Sequence, residues 1–145
     1  MVKLFLNGYE KETLDDFLCK LRESDVKAVI DVREIPLSRK NGFSKKNLES
    51  RLADEGIRYY HFPELGSPRV IREELYSTGD YLNFFIEYRK YINKNKAFVE
   101  RLTEIVLGEE KSVLLCLEEN YELCHRSIIT DEITKINSQI MVIPT

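Results

Sequence analysis

A chain of 145 residues is long enough for one domain with a substantial hydrophobic core. Its composition, 43% hydrophobic and 32% charged, excludes a disordered or fibrous polymer. No apolar run approaches the ~20 residues of a membrane span, and a net charge of -3 disfavours nucleic-acid binding driven by bulk positive charge. The opening "MVKLFLNGYE" has too short an apolar stretch for a signal peptide, and three cysteines, an odd number, do not make a secreted disulfide framework. A single α/β domain over 1–145, in the reducing cytoplasm, is the expectation.

In chain order, "VKLFLNG" reads as a first strand. "TLDDFLCKLRES" follows, with Leu14, Phe17, Leu18 and Leu21 at i, i+3, i+4 and i+7, one buried helix face. Thr13 is its N-cap with Asp16 three residues on, and Cys19 is a small core or flank residue. "VKAVIDV" is a buried strand ending at Asp31. It runs into "DVREIPLSRKNGFSKK", where Arg33, Arg39, Lys40, Lys45 and Lys46 make a basic loop on an acidic protein. "FSKKNLESRLADEG" predicts a helix capped by Ser44, stapled by Phe43 against Leu48 and stopped by Gly56. "IRYYHF" is a third strand and "PELGSPR" a loop.

Two helices come next, "DYLNFFIEYRKYIN" and "AFVERLTEIVLG". The first carries Tyr81, Phe84, Tyr88 and Tyr91 beside Leu82, Phe85, Ile86 and Ile92. Apolar groups around most of a helix imply burial on more than one side, or a partner such as a second copy of the chain bound through 81–92. "KSVLLC" is a fourth strand, a helix from about Glu122 to Ile136 follows, and "QIMVI" closes the chain. Alternating strands and helices predict a three-layer α/β fold with a mostly parallel sheet of about five strands.

Parallel strands joined by crossovers place every following segment at one edge of the sheet, the carboxyl edge, where ligands bind in open α/β folds. The reactive residues recur there. Asn7, Gly8 and Tyr9 follow the first strand; Asp31, Arg33, Ser38 and Arg39 the second; His61, Glu64, Gly66 and Arg69 the third; Cys116, Glu118, Cys124, His125 and Arg126 the fourth. The opposite ends carry plain solvated turns, "ESDVK" and "GEEKS".

Four motifs, "NGY", "DVREIPLSR", "YHFPELG" and "LLCLEENYELCHR", together resemble the pattern of domain-of-unknown-function family 488 over nearly the whole chain. The chain departs from that pattern at Tyr9, where histidine is common, and at "LGS", where Leu-Gly-Gly is usual. The resemblance implies an α/β domain of cytoplasmic type and carries no established activity. The pairing of "VIDVRE" with a later "VLLC" strand is also similar in layout to the sulfurtransferase rhodanese.

Three chemistries suit these residues. Cys116 after a parallel strand, with Arg126 beyond it, is a layout for a nucleophilic thiol, although Glu118, Glu119 and Glu122 oppose a low thiol pKa. Cys116, Cys124, His125, His61 and Asp31 are ligand types for zinc or iron. No CxxC or HxxxH spacing supports a metal site, however, and adjacent Cys124 and His125 on a helix would diverge by about 100°. No metal ligand set and no cofactor is assigned. The expectation is a small anionic or nucleotide-like ligand, held by Arg33, Ser38, Arg39, Glu64, Arg69, Glu118 and Arg126. Cys116, Cys124, His125, His61 and Asp31 would carry any hydrolase or transferase chemistry. Tyr9, Tyr59 and Tyr60 are available for stacking on a base. The alternatives are a nucleic-acid-binding module using the basic 33–46 loop and a thiol redox or metal sensor.

Overall fold

The computed structural model describes residues 1–118 and 124–144. Five strands, β1 (Val2–Gly8), β2 (Ala28–Asp31), β3 (Arg58–His61), β4 (Lys111–Cys116) and β5 (Ile140–Pro144), form one sheet in the order β3-β2-β4-β1-β5. Every pairing is parallel. Six helices cover it: α1 (Leu14–Glu23), α2 (Lys45–Asp54), α3 (Arg69–Thr78), α4 (Tyr81–Asn93), α5 (Lys96–Glu109) and α6 (Arg126–Ile136). A 3-10 turn, Pro63–Leu65, follows β3. The expected three-layer α/β fold is the one observed.

Strand alternation divides the core in two. On one face Val29, Val113 and Leu115 pack under α1 and α2, against Phe17, Leu18, Leu48 and Leu52. On the other, Leu4, Leu6, Ile30 and Leu114 pack under α4, α5 and α6, against Tyr88, Ile92, Leu102 and Ile129. The chain after β1 and β2 thus goes to one face, and the chain after β4 to the other. Because β4 lies between β1 and β2, its carboxyl end is a topological switch point, where diverging connections leave a crevice.

Local chemistry explains most boundaries. Thr13 and Asp16 form the reciprocal capping box at the start of α1, and its four spaced apolar residues are all buried. The α2 start differs from expectation. Ser44 makes no side-chain cap; its hydroxyl instead donates to Ser38 O and accepts from Ser38 N, closing the basic loop. Gly56 takes the left-handed conformation past the α2 end, at φ 72°. Cys19 is exposed and donates to Glu23, so it belongs to no core. α3 was not expected from the sequence; it buries no residue, packs on α4 and leaves Val70 and Tyr76 to solvent. The expected helix start near Glu122 lies outside the described residues; α6 runs from Arg126.

Candidate functional site

The residues gathered at the carboxyl edge fall into two groups, one on each face of the sheet. Asp31 ends β2 facing α1 and α2 and is fully buried. Its carboxylate accepts from Arg33 Nε at 2.9 Å and Nη2 at 2.7 Å, a forked pair, and from the Tyr59 hydroxyl at 2.6 Å. Arg33 Nη1 donates to Tyr9 Oη and to Phe43 O. Burial pulls the Arg33 guanidinium down, but Asp31 outweighs it and the pKa rises. Burial, then the Asp31 charge, raises the Tyr59 phenol. Every polar atom of this group is engaged within the group. It ties the first and second loops together, and Tyr9 and Arg33 also line the pocket described below.

The second group hangs from β4 and the start of α6, on the α4–α6 face. Cys116 pairs in register with Gly8, which puts no side chain beside it. Cys124 and His125 stand immediately before α6, His125 as its N-cap with helical backbone angles of φ -58° and ψ -16°. They converge: His125 Nδ1 lies 3.3 Å from Cys124 Sγ and 3.8 Å from Cys116 Sγ. This overturns the divergence expected from a helical spacing. His125 Nε2 sits 2.8 Å from Val32 O. A carbonyl only accepts, so Nε2 carries a proton, and in the neutral ring Nδ1 turns its lone pair on the two sulfurs. Tyr88 fixes the ring edge-on at 5.3 Å and is itself anchored through its hydroxyl to Leu65 O.

The electrostatics of this cluster are unequal. The Cys116 thiol hydrogen-bonds towards Cys124 and is buried, both of which hold its proton on well above the ordinary thiol value. Its sulfur also lies 3.1 Å from Glu118 Oε2, so one thiol proton faces two acceptors. Burial pushes Cys124 up, but the Cys116 hydrogen bond, the His125 imidazole and the Arg126 charge bring it well below that value. Burial would lower His125, and the Cys124 sulfur raises it instead. Burial and Cys124 raise Glu118. The Cys124 sulfur and the His125 imidazole thus each favour the charged form of the other.

Arg126 completes the cluster. It is fully buried and donates from Nη2 to Glu118 O, while Nε and Nη1 have no hydrogen-bond partner among the described residues. The buried Arg126 charge favours the thiolate form of both neighbouring sulfurs.

A cavity of about 160 Å³ opens onto this group; its walls include Cys116, His125, Glu118, Arg33, Glu34, Arg72 and Tyr76. Arg72, from α3, was not expected from the sequence. It is partly exposed, pairs with Glu34 at 3.0 Å and donates to Ser67 O. The signal was present in "SPRVIREEL": a proline followed by strong helix formers starts a helix that turns one of its two arginines inward. Gly66 allows that approach, because a Cβ there would fall 2.2 Å from Glu34 N.

Other expected residues stand apart. Arg69 points to solvent and pairs with Glu73 on its own helix. Arg39 is exposed and lines no part of this cavity. Ser38 serves its own turn, accepting from Lys40 N. His61 Nε2 donates to Arg33 O, and Glu64 accepts from the Tyr91 hydroxyl through its backbone oxygen. The tyrosines proposed for stacking are committed: Tyr9 is buried and stacked on Phe43 at 4.3 Å, Tyr59 holds Asp31, and Tyr60 donates to Glu109. The basic loop spends Arg33 on Asp31, and Lys40 on the carbonyls of Tyr9 and Glu10. A larger cavity of about 660 Å³ lies between α1 and α2, lined by Lys40, Arg51 and Asp15 among others, away from the cysteines.

No helix among the described residues is long and apolar enough to cross a membrane. No curated protein and no solved structure matches the chain, and the layout likeness to rhodanese gains no support. A family model described as "Domain of unknown function DUF488" matches residues 13–133, which takes in β2 through most of α6 and every residue of both polar groups except Tyr9. The chain therefore belongs to the DUF488 family.

Proposed function

We propose that the chain binds a small oxyanion or carboxylate in the cavity beside β4 and processes it, by hydrolysis or group transfer, at the Cys116–His125 wall. One observation carries this reading. The Nδ1 of a buried histidine, whose Nε2 donates to Val32 O, is aimed at two sulfurs, and one of them, Cys116, lines a cavity that also holds a partly exposed arginine. Of the two arginines in the cavity, Arg33 is engaged through all three nitrogens by Asp31, Tyr9 and Phe43 O, whereas Arg72 pairs among the described residues with one carboxylate, Glu34, and retains donors for a guest. The volume, about 160 Å³, suits a phosphate- or carboxylate-sized group. Whole small molecules usually occupy pockets of about 300–1,000 Å³.

The test is calorimetric binding of inorganic phosphate and of a simple carboxylate such as acetate at low ionic strength. Arg72→Ala should weaken binding about 10- to 100-fold, the usual worth of a charged hydrogen bond. Glu34→Gln should strengthen it by releasing Arg72. Identical binding in wild type and both variants, or none of either ligand in wild type, overturns the reading.

A further inference from the structure

We infer that Cys116, Cys124 and His125 form a three-ligand site for one divalent cation, zinc by preference, with the fourth coordination position facing the cavity. The three donor atoms are buried and lie within 4.8 Å of one another. A tetrahedral zinc with Zn–S of ~2.3 Å and Zn–N of ~2.0–2.1 Å separates sulfur from nitrogen by about 3.5 Å. The two sulfur–nitrogen distances here, 3.3 and 3.8 Å, bracket that edge. Nothing has to move far for the cation to enter.

The surroundings fit the same assignment. A ligating histidine donates its second N–H to a fixed acceptor, which sets the tautomer and aims the lone pair; His125 Nε2 does so to Val32 O. Two thiolates neutralise a divalent ion, and the buried Arg126, bonded to the Glu118 backbone, adds a positive charge beside the sulfurs. Two sulfurs and one imidazole select zinc over magnesium or calcium, which require oxygen ligands. Cys116 and His125 line the cavity, and Cys124 lies behind them. The vacant vertex of the tetrahedron therefore points to where a water or a ligand oxygen would sit, as in zinc sites that perform chemistry rather than hold a fold together. Glu118, against Cys116 Sγ, is placed to take a proton from such a water.

This inference deepens the proposed function and relies on it only for what fills the fourth position. The test is titration of the reduced full chain with Zn²⁺ against a chromophoric chelator, and with Co²⁺ by absorption. One ion per chain is expected, with a near-ultraviolet sulfur-to-cobalt band. Cys116→Ser and Cys124→Ser should each roughly halve that band and weaken Zn²⁺ at least tenfold, while Cys19→Ser, on the exposed face of α1, should change neither. Absence of stoichiometric uptake by wild type, or a band that survives both buried substitutions, overturns the site. If circular dichroism shows a serine variant unfolded, wild type and Cys19→Ser decide the matter. Phosphate titrated into zinc-loaded and zinc-free protein separates the two readings. Zinc without phosphate binding sinks the anion pocket and leaves the metal site; phosphate without zinc does the reverse.

Discussion

Asp31 shows how differently one residue type can be used at the same sheet edge. Its carboxylate is fully buried, yet it faces no cavity; it holds Arg33 in a fork and accepts from Tyr59. Removing one partner of a buried pair strands the other charge, which typically costs about 3–5 kcal/mol. Asp31→Asn should therefore destabilise the fold by an amount in that range, measured by urea denaturation with unchanged m-value. A loss below about 1 kcal/mol would mean Arg33 finds another anion and the pair is not structural. The DVR motif looked like site chemistry in the sequence because position in a chain does not reveal which face of a strand a side chain takes. Alternation puts Asp31 and Cys116 on opposite faces although both end adjacent strands.

At the scale of elements, α4 reads as apolar on nearly every side, yet it buries only part of its circumference. Phe84, Tyr88 and Ile92 are buried, while Leu82 is 73% exposed and Ile86 47%. The buried stripe follows helical spacing against the sheet, and α3 lies along another side. Phe84→Ala should cost about 3–5 kcal/mol. Leu82→Lys should stay within about ±0.5 kcal/mol in thermal or urea unfolding, at every protein concentration. A concentration-dependent midpoint that Leu82→Lys abolishes would instead reveal a second copy of the chain on this face. α3 is the converse case. None of its residues is buried, yet it delivers Arg72 to the cavity.

At the scale of the whole molecule, the amino end of the sheet is tied by a polar cluster around Glu109. Glu109, at the end of α5, accepts from Arg58 Nε at 2.7 Å and from the Tyr60 hydroxyl at 2.9 Å. The Arg58 hydrogen bonds outweigh burial and lower its pKa. A carboxylate whose pKa is lower folded than unfolded adds stability that is present above the unfolded value, about 4.3 for glutamate. That stability is lost as pH falls through the lowered folded value. Glu109→Gln should thus reduce stability near neutrality and flatten the acid limb of a stability–pH curve. Because Arg58 is largely exposed, solvent screens part of the effect, and added salt should shrink it. A variant curve parallel to wild type below pH 5 would rule this out.

Periodicity and end signals determined the layers. The α1 stripe, the Thr13 capping box, the Gly56 stop and the alternation of strands with helices are local properties, legible because hydrogen-bond caps and apolar spacing act within a few residues. The parallel sheet followed from them, and with it the gathering of polar residues at one edge. What tertiary structure alone decided was how that edge divides. Strand order placed β4 between β1 and β2, sidedness sent Asp31 and Arg33 to one face and Cys116 to the other, and a helix with no buried side chain brought in Arg72. Cys124 and His125 meet Cys116 because the packing of α6 on the sheet brings its start to the carboxyl end of β4. These outcomes depend on contacts between residues far apart in the chain, and no spacing within one segment encodes them.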